Sequence, residues 1–162
     1  MRVVFLGCTK FSEEILLHLL DQGVEVVAIC TIPEYFNINY SAEPVRNANY
    51  ADLSKYAMQL GVPHFEVDSI KGQRMSDYHE ELEKLNPDVI LTMGWYYMVA
   101  KKTRSIAKYG AWGIHASLLP KYAGGAPLVW AIIEGERATG GTLFKFDDGE
   151  DDGDIISKAE FP

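Results

Sequence analysis

Apolar residues recur along the chain in two periods, and the switches between them lay out its elements. Arg2–Leu6 is a short apolar run without a polar face, the pattern of a strand buried on both sides. The period then lengthens. Ile15, Leu16, Leu19 and Leu20 form one helical stripe, with Ser12 as candidate cap and Glu13 and Glu14 in the first turn, where the helix dipole favours acids. Gly23 ends that helix, and residues 24–31 read as a second strand. Residues 32–50 carry Pro33, Pro44 and several asparagines and serines with no clean period, which predicts a long loop, and loops of this length are often functional. A helix over 52–60 closed by Gly61, a short strand over 63–67 and a helix over 75–85 stopped by Asn86-Pro87 follow.

The second half repeats the alternation. Residues 88–93 form a buried strand that exits into the aromatic cluster Gly94-Trp95-Tyr96-Tyr97. A helix over 100–107, a weaker strand Ala111–His115, a helix over 127–134 with Pro127 in its first turn, a strand over 139–146 and its return partner Ile155–Phe161 complete the set. Strands alternating with helices predict an α/β fold, a Rossmann-like and mostly parallel sheet with helices on both faces. Such sheets hold ligands outside the carboxyl ends of their strands, where the aromatic cluster falls. The length of 162 residues fits one domain. No helix covers the last strand, and the open apolar edge leads to the expectation that a carboxy-terminal part is missing.

Charge and cysteine usage narrow the function classes. A net charge of -8 argues against a broad footprint on nucleic acid or an anionic membrane. Lys101, Lys102 and Arg104 are the only dense basic group and are expected to form a solvated helix face. Cys8 and Cys30 lie in separate apolar runs without C-x-x-C spacing, so neither a disulfide framework nor a zinc site is expected. No stretch reads as a signal h-region or a membrane span, and a cytoplasmic location is expected.

Two segments carry candidate chemistry. Gly7-Cys8-Thr9-Lys10-Phe11-Ser12 joins the first strand to the first helix, where free backbone N–H groups favour anions. Its single glycine lacks the G-x-G-x-x-G fingerprint of a dinucleotide site. Two readings stay open: an ordinary turn, or a contact from Gly7, Thr9 and Lys10 to a phosphate or carboxylate of a substrate. The second segment pairs His115 with the stretch 147–154, in which six of eight residues are Asp or Glu. An imidazole beside a carboxylate is the arrangement of a general base, the carboxylate fixing the tautomer. His18, His64 and His79 have no acidic cluster nearby and read as structural. The alternatives are a structural imidazole and a solvated acidic hairpin. No metal is expected, since the spacing does not match a calcium loop and no final bidentate Glu is present.

Several motifs together resemble one family. His115-Ala116-Ser117-Leu118-Leu119-Pro120, the Gly125-Ala126-Pro127 turn with Trp130-Ala131-Ile132, Gly135-Glu136, Thr139-Gly140 with Thr142, and Asp147-x-Gly149-x-Asp151-x-Gly153-Asp154 stand in the order seen in the folate-dependent formyltransferases. That family includes glycinamide ribonucleotide transformylase, methionyl-tRNA formyltransferase and the sugar-nucleotide N-formyltransferases. The match is dense from about residue 94 to 156 and looser before it. The resemblance implies that residues 1–162 are a formyltransferase catalytic domain that moves a formyl group from 10-formyltetrahydrofolate to a primary amine. It gives His115 and Asp151 as the catalytic pair, Trp95, Tyr96, Tyr97, Met98, Val99, Asp147 and Gly149 around the folate, and Ser117 and Leu118 with Gly7, Thr9 and Lys10 on the substrate side, the first two through shape and positioning.

One position departs from the pattern. Relatives carry Asn two residues before the histidine, where its amide helps hold the formyl oxygen, and this chain has Gly113. The favoured acceptor is a small amine, an amino-sugar nucleotide in preference to tRNA, on the acidic balance and the lack of a further carboxy-terminal domain. The alternatives are a fragment of a methionyl-tRNA formyltransferase, hydrolysis of 10-formyltetrahydrofolate, and a non-catalytic folate or sugar-nucleotide binder in which Gly113 has ended turnover. Rate gained on placing Asn at 113 would mark an uncompensated loss.

Overall fold

The sheet forms around strands that are apolar on both faces. In the computed structural model, which describes residues 1–162, Val3 and Phe5 of β1 (Arg2–Leu6) point to one side and Val4 and Leu6 to the other, and all four are fully buried. In chain order there follow α1 (Lys10–Asp21), β2 (Glu25–Thr31), β3 (Tyr35–Phe36), β4 (Val45–Arg46), α2 (Ser54–Leu60), β5 (His64–Glu66) and α3 (His79–Lys84). Then come β6 (Val89–Thr92), α4 (Lys101–Arg104), β7 (Ala111–His115), α5 (Pro127–Ile133), β8 (Thr139–Lys145) and β9 (Ile155–Phe161).

Seven strands pair in the order β5-β2-β1-β6-β7-β8-β9. The first five are mutually parallel, and β8 and β9 add antiparallel to the β7 edge. On one face α1 and α2 bring Leu16 and Ala57 against Val3, Phe5, Val89 and Leu91; on the other α3 brings Leu82 against Val4, Leu6 and Ile90. The fold is therefore the Rossmann-like α/β arrangement expected from the alternation.

Four boundaries differ from the sequence reading. Helix α1 starts earlier, because Thr9 is its cap; Ser12 sits at N3 and reciprocates. The expected loop over 32–50 contains the β3–β4 hairpin, seated by Phe36 on Cys8, Ile32 and Val67. The expected helix over 75–85 begins as a 3-10 turn (Met75–Tyr78). The one over 100–107 shortens to the single turn of α4. At the far edge β9 is exposed along its length, and α5 buries only Ala131 while Trp130, Ile132 and Ile133 face outward.

Candidate functional site

His115 ends β7, and two backbone turns aim at its ring. The side chain is 9% exposed; its Nε2 lies 2.7 Å from the Tyr122 carbonyl oxygen and its Nδ1 3.3 Å from Asp151 Oδ2. A carbonyl oxygen can only accept, so Nε2 donates to Tyr122, and Nδ1 is the ring nitrogen that faces the carboxylate. Asp151 Oδ2 is held in turn by the Gly124 N–H at 2.8 Å. Both partners of the ring stand on left-handed backbone, Tyr122 at φ 55° and Asp151 at φ 52°. Non-glycine residues there are strained, and such strain gathers where a site over-determines its geometry.

The turn between β7 and α5 is rigid by its own hydrogen bonds. Thr142 Oγ1 on β8 donates to the Ser117 carbonyl at 2.7 Å and accepts from Leu119 N at 3.0 Å, while Ser117 Oγ donates to the Lys121 carbonyl at 2.5 Å. Ser117 is buried, and the Leu118 side chain packs on Gly140. Both thus build the turn that carries Tyr122, and neither lines the cavity described next. This matches the shape and positioning expected of them, with no contact to the cavity itself.

A cavity of ≈ 410 Å³ opens beside the His115–Asp151 pair, in the range of ligand sites. Trp95, Tyr96, Tyr97, Met98 and Val99 line it after β6, as do Asp147 and Gly149 of the acidic loop. Every residue assigned to the folate side by resemblance therefore lines one space with His115 and Asp151. Tyr96 and Tyr97 have their hydroxyls pushed up in pKa by burial, so they serve as neutral donors. Aromatic walls with a few fixed polar groups suit a flat heterocycle.

The acidic loop is latched. Arg104, its side chain 13% exposed, donates from Nη1 to the Val99 carbonyl at 2.9 Å and from Nη2 to Asp148 Oδ1 at 2.5 Å, and Lys101 Nζ reaches Asp148 Oδ2 at 2.6 Å. The hydrogen bond from Lys101 holds the Asp148 carboxyl below its usual range, and the charges of Lys101 and Arg104 act in the same direction. The solvated basic face expected over 101–104 is corrected accordingly: two of its three cations clamp the loop. No group of three His, Cys, Asp or Glu side chains is arranged to hold a metal ion.

The turn after β1 is closed, contrary to the open anion site considered for it. Cys8 N and Thr9 N both donate to Ser12 Oγ, at 3.2 and 3.1 Å, Lys10 N donates to the Asn49 carbonyl, and Ser12 Oγ donates to the Met93 carbonyl. Gly7 N is taken by the Cys30 carbonyl. Gly94, at φ +64°, fits against this staple only because it has no Cβ, which would stand 2.2 Å from Thr9 Oγ1. Gly7 and Thr9 are buried outside the cavity and Lys10 is exposed outside it, so the fold does not bring them to the His115–Asp151 pair. Burial also pushes the Cys8 thiol up to about 12, against a backbone hydrogen bond from Ile32, which removes it as a nucleophile.

Gly113 reads differently in three dimensions. A Cβ there would stand 2.5 Å from the Phe146 ring, so that ring fills the space into which a side chain at 113 would project. Phe146, Thr92, Arg104 and Asp148 were missed in sequence. Only the opposite charges of residues 101–104 and the acidic stretch gave a signal for the last two.

The family model for formyl transferases matches residues 1–162. The chain is 34% identical over 158 residues to a methionyl-tRNA formyltransferase from Caldanaerobacter subterraneus, covering 98% of this chain and 49% of that protein. It is 38% identical over 159 residues to the enzyme of that name from Pelotomaculum thermopropionicum, covering 96% and 47%. The chain thus spans about half the length of the curated relatives it matches. Among solved structures, glycinamide ribonucleotide transformylase 1 from Symbiobacterium toebii superposes with a TM-score of 0.75 at 20% identity, over 100% of this chain and 73% of that one. A formyltetrahydrofolate deformylase from Pseudomonas syringae gives a TM-score of 0.75 at 17% identity, over 99% and 50%. At those identities the likeness concerns the fold, and it is the match along the full sequence that carries the conclusion: the chain belongs to the formyl transferase family.

Proposed function

We propose that this chain is the catalytic domain of an N-formyltransferase that takes the formyl group from 10-formyltetrahydrofolate and gives it to a primary amine. The observation that carries the reading is the His115 ring with Nε2 committed to a carbonyl and Nδ1 facing Asp151 at the edge of an aromatic cavity. A proton taken from the attacking amine arrives on Nδ1, where the carboxylate steadies it; the Tyr122 carbonyl keeps the ring from turning away. The Trp95–Val99 stretch and the latched acidic loop fit the flat folate ring and shield the pair from bulk water. When bound, the carrier supplies an activated one-carbon group. All else is positioning and proton handling by the chain.

The acceptor we favour is a small amine, an amino-sugar nucleotide among the candidates, because a chain of net charge -8 has little to offer a polyanion. Methionyl-tRNA is the second reading, on the names of the relatives above. We place the reaction in the cytoplasm, with which two free, buried thiols agree. The test is release of tetrahydrofolate from 10-formyltetrahydrofolate in the presence of amino-sugar nucleotides, other small amines or methionyl-tRNA. Amine-dependent release identifies the acceptor, and amine-independent release means hydrolysis. Binding without release would end both enzyme readings and leave a folate binder.

A further inference from the structure

Formyl transfer needs one group that His115 and Asp151 do not supply, a hydrogen-bond donor for the formyl oxygen as charge grows on it. Several polar groups of the cavity are committed elsewhere. Tyr96 Oη donates to Asn47 Oδ1 at 3.1 Å, Tyr97 Oη to Ser69 Oγ at 2.8 Å, Arg104 to Val99 and Asp148, and the Gly124 N–H to Asp151. Thr92 is different. It ends β6, lines the cavity, is 8% exposed, and its Oγ1 is buried with no hydrogen-bond partner. Buried hydroxyls without partners are rare, and valine would fill the same space without that cost.

Register brings this hydroxyl to the chemistry. Thr92 pairs with Gly113 on the adjacent parallel strand, so its side chain falls on the face shared by Gly113 and, two residues on, His115. Position 113 itself is blocked, because a Cβ there would meet the Phe146 ring and lie 3.2 Å from the Thr92 carbonyl. We propose that the Thr92 hydroxyl is the donor to the formyl oxygen in this chain, in place of a side chain at 113; the proposal rests on the formyl-transfer reading. As the amine lone pair bonds to the formyl carbon, the C=O π pair moves onto oxygen, where Thr92 Oγ1–H holds it, and the amine proton passes to His115. The pair then reforms C=O while the bond from carbon to the carrier nitrogen breaks, and that nitrogen keeps the bonding electrons and takes the proton that His115 received. Oγ1 is shielded from solvent, and a neighbouring side chain must give way as the carrier seats.

The experiment compares Thr92→Val and Thr92→Ser with the wild-type chain. Loss of the hydroxyl is expected to lower kcat about 10²–10³-fold while KM for the carrier changes by less than about threefold; Thr92→Ser stays within about tenfold of wild type. Thr92→Val should unfold no earlier than wild type, since it removes an unsatisfied group, whereas a purely structural role predicts earlier unfolding with kcat kept. In a crystal structure with 10-formyl-5,8-dideazafolate, a stable formyl carrier, the formyl oxygen should lie within hydrogen-bond distance of Thr92 Oγ1. An active wild type with an equally active Thr92→Val, or a formyl oxygen bound to another donor, overturns the proposal and leaves the formyl-transfer reading standing. A wild type that neither binds the carrier nor transfers its formyl group overturns both.

Discussion

Asp151→Asn is the sharpest perturbation of the site, because it changes one atom and little else. Asp151 Oδ2 receives the Gly124 N–H at 2.8 Å and lies 3.3 Å from His115 Nδ1. In the variant an oxygen kept on Gly124 is the same atom that faces Nδ1, so Nδ1 meets a neutral amide carbonyl instead of a carboxylate. The proton arriving from the amine then loses the negative charge that steadies it. A general base is worth about 10² to 10⁴ in rate, or about 2.7 to 5.4 kcal/mol, and the variant should lose most of it. Stability should barely move, since asparagine tolerates the left-handed φ of 52°, whereas alanine there would add backbone strain of about 1 to 2 kcal/mol. The assay is tetrahydrofolate release at saturating amine, with thermal unfolding run in parallel. Retention of more than a tenth of the wild-type kcat in a normally folded variant would refute the assignment of Nδ1 as the base.

Three further outcomes follow from the geometry. Gly113→Asn should not raise the rate and should destabilise by about 1 to 3 kcal/mol through overpacking on Phe146, and combined with Phe146→Ala it should cost less than the sum of the separate losses in urea unfolding. Ser12→Ala removes the acceptor for Cys8 N and Thr9 N and the donor to Met93, so it should lower unfolding free energy by about 3 kcal/mol; an unchanged urea midpoint would contradict the staple. Asp148→Asn should raise KM for the carrier by less than about fivefold, less so at high salt. A carboxyl whose folded pKa is depressed contributes its stability above its unfolded value, near 3.9, and loses it as pH falls through the folded one. The latch therefore holds across neutral pH, and the Asp148→Asn effect should be equal at pH 6 and 8; a difference would mean that another group titrates in the loop.

The sheet was legible because its strands are apolar on both faces, a pattern that a single sequence displays directly. The β3–β4 hairpin was not, since two-residue strands have no period and Phe36 is buried only by residues brought from Cys8, Ile32 and Val67. Helix α1 was found but mis-capped, because Thr9 and Ser12 can each cap and only the short contact of Ser12 with Met93, across the switch in strand order, decides. At the site, the His115–Asp151 pairing was reached through family resemblance, and the aromatic stretch after β6 fell where strand ends gather ligands. Arg104 and Asp148, or Thr92 and Gly113, become neighbours only once register and loop path are fixed. Gly113 shows the limit most clearly. In sequence it was a missing donor, and in space it is the opening that Phe146 fills.

Backbone strain explains why the pair could not be read from spacing alone. Four non-glycine residues adopt positive φ, namely Asn86, Tyr122, Ala126 and Asp151. Two of these are the partners of the His115 ring, and a third caps α5, which follows the same turn. No propensity places tyrosine in the left-handed region; each such residue costs about 1 to 2 kcal/mol. The cost is tolerated because Tyr122 Oη donates to Glu136, Ser117 pins the Lys121 carbonyl, and Gly124 holds Asp151. A relaxed backbone at 122 or 151 would turn its carbonyl or carboxylate away from the imidazole. The strain is therefore what holds the His115 ring at the strand end between the Tyr122 carbonyl and the Asp151 carboxylate.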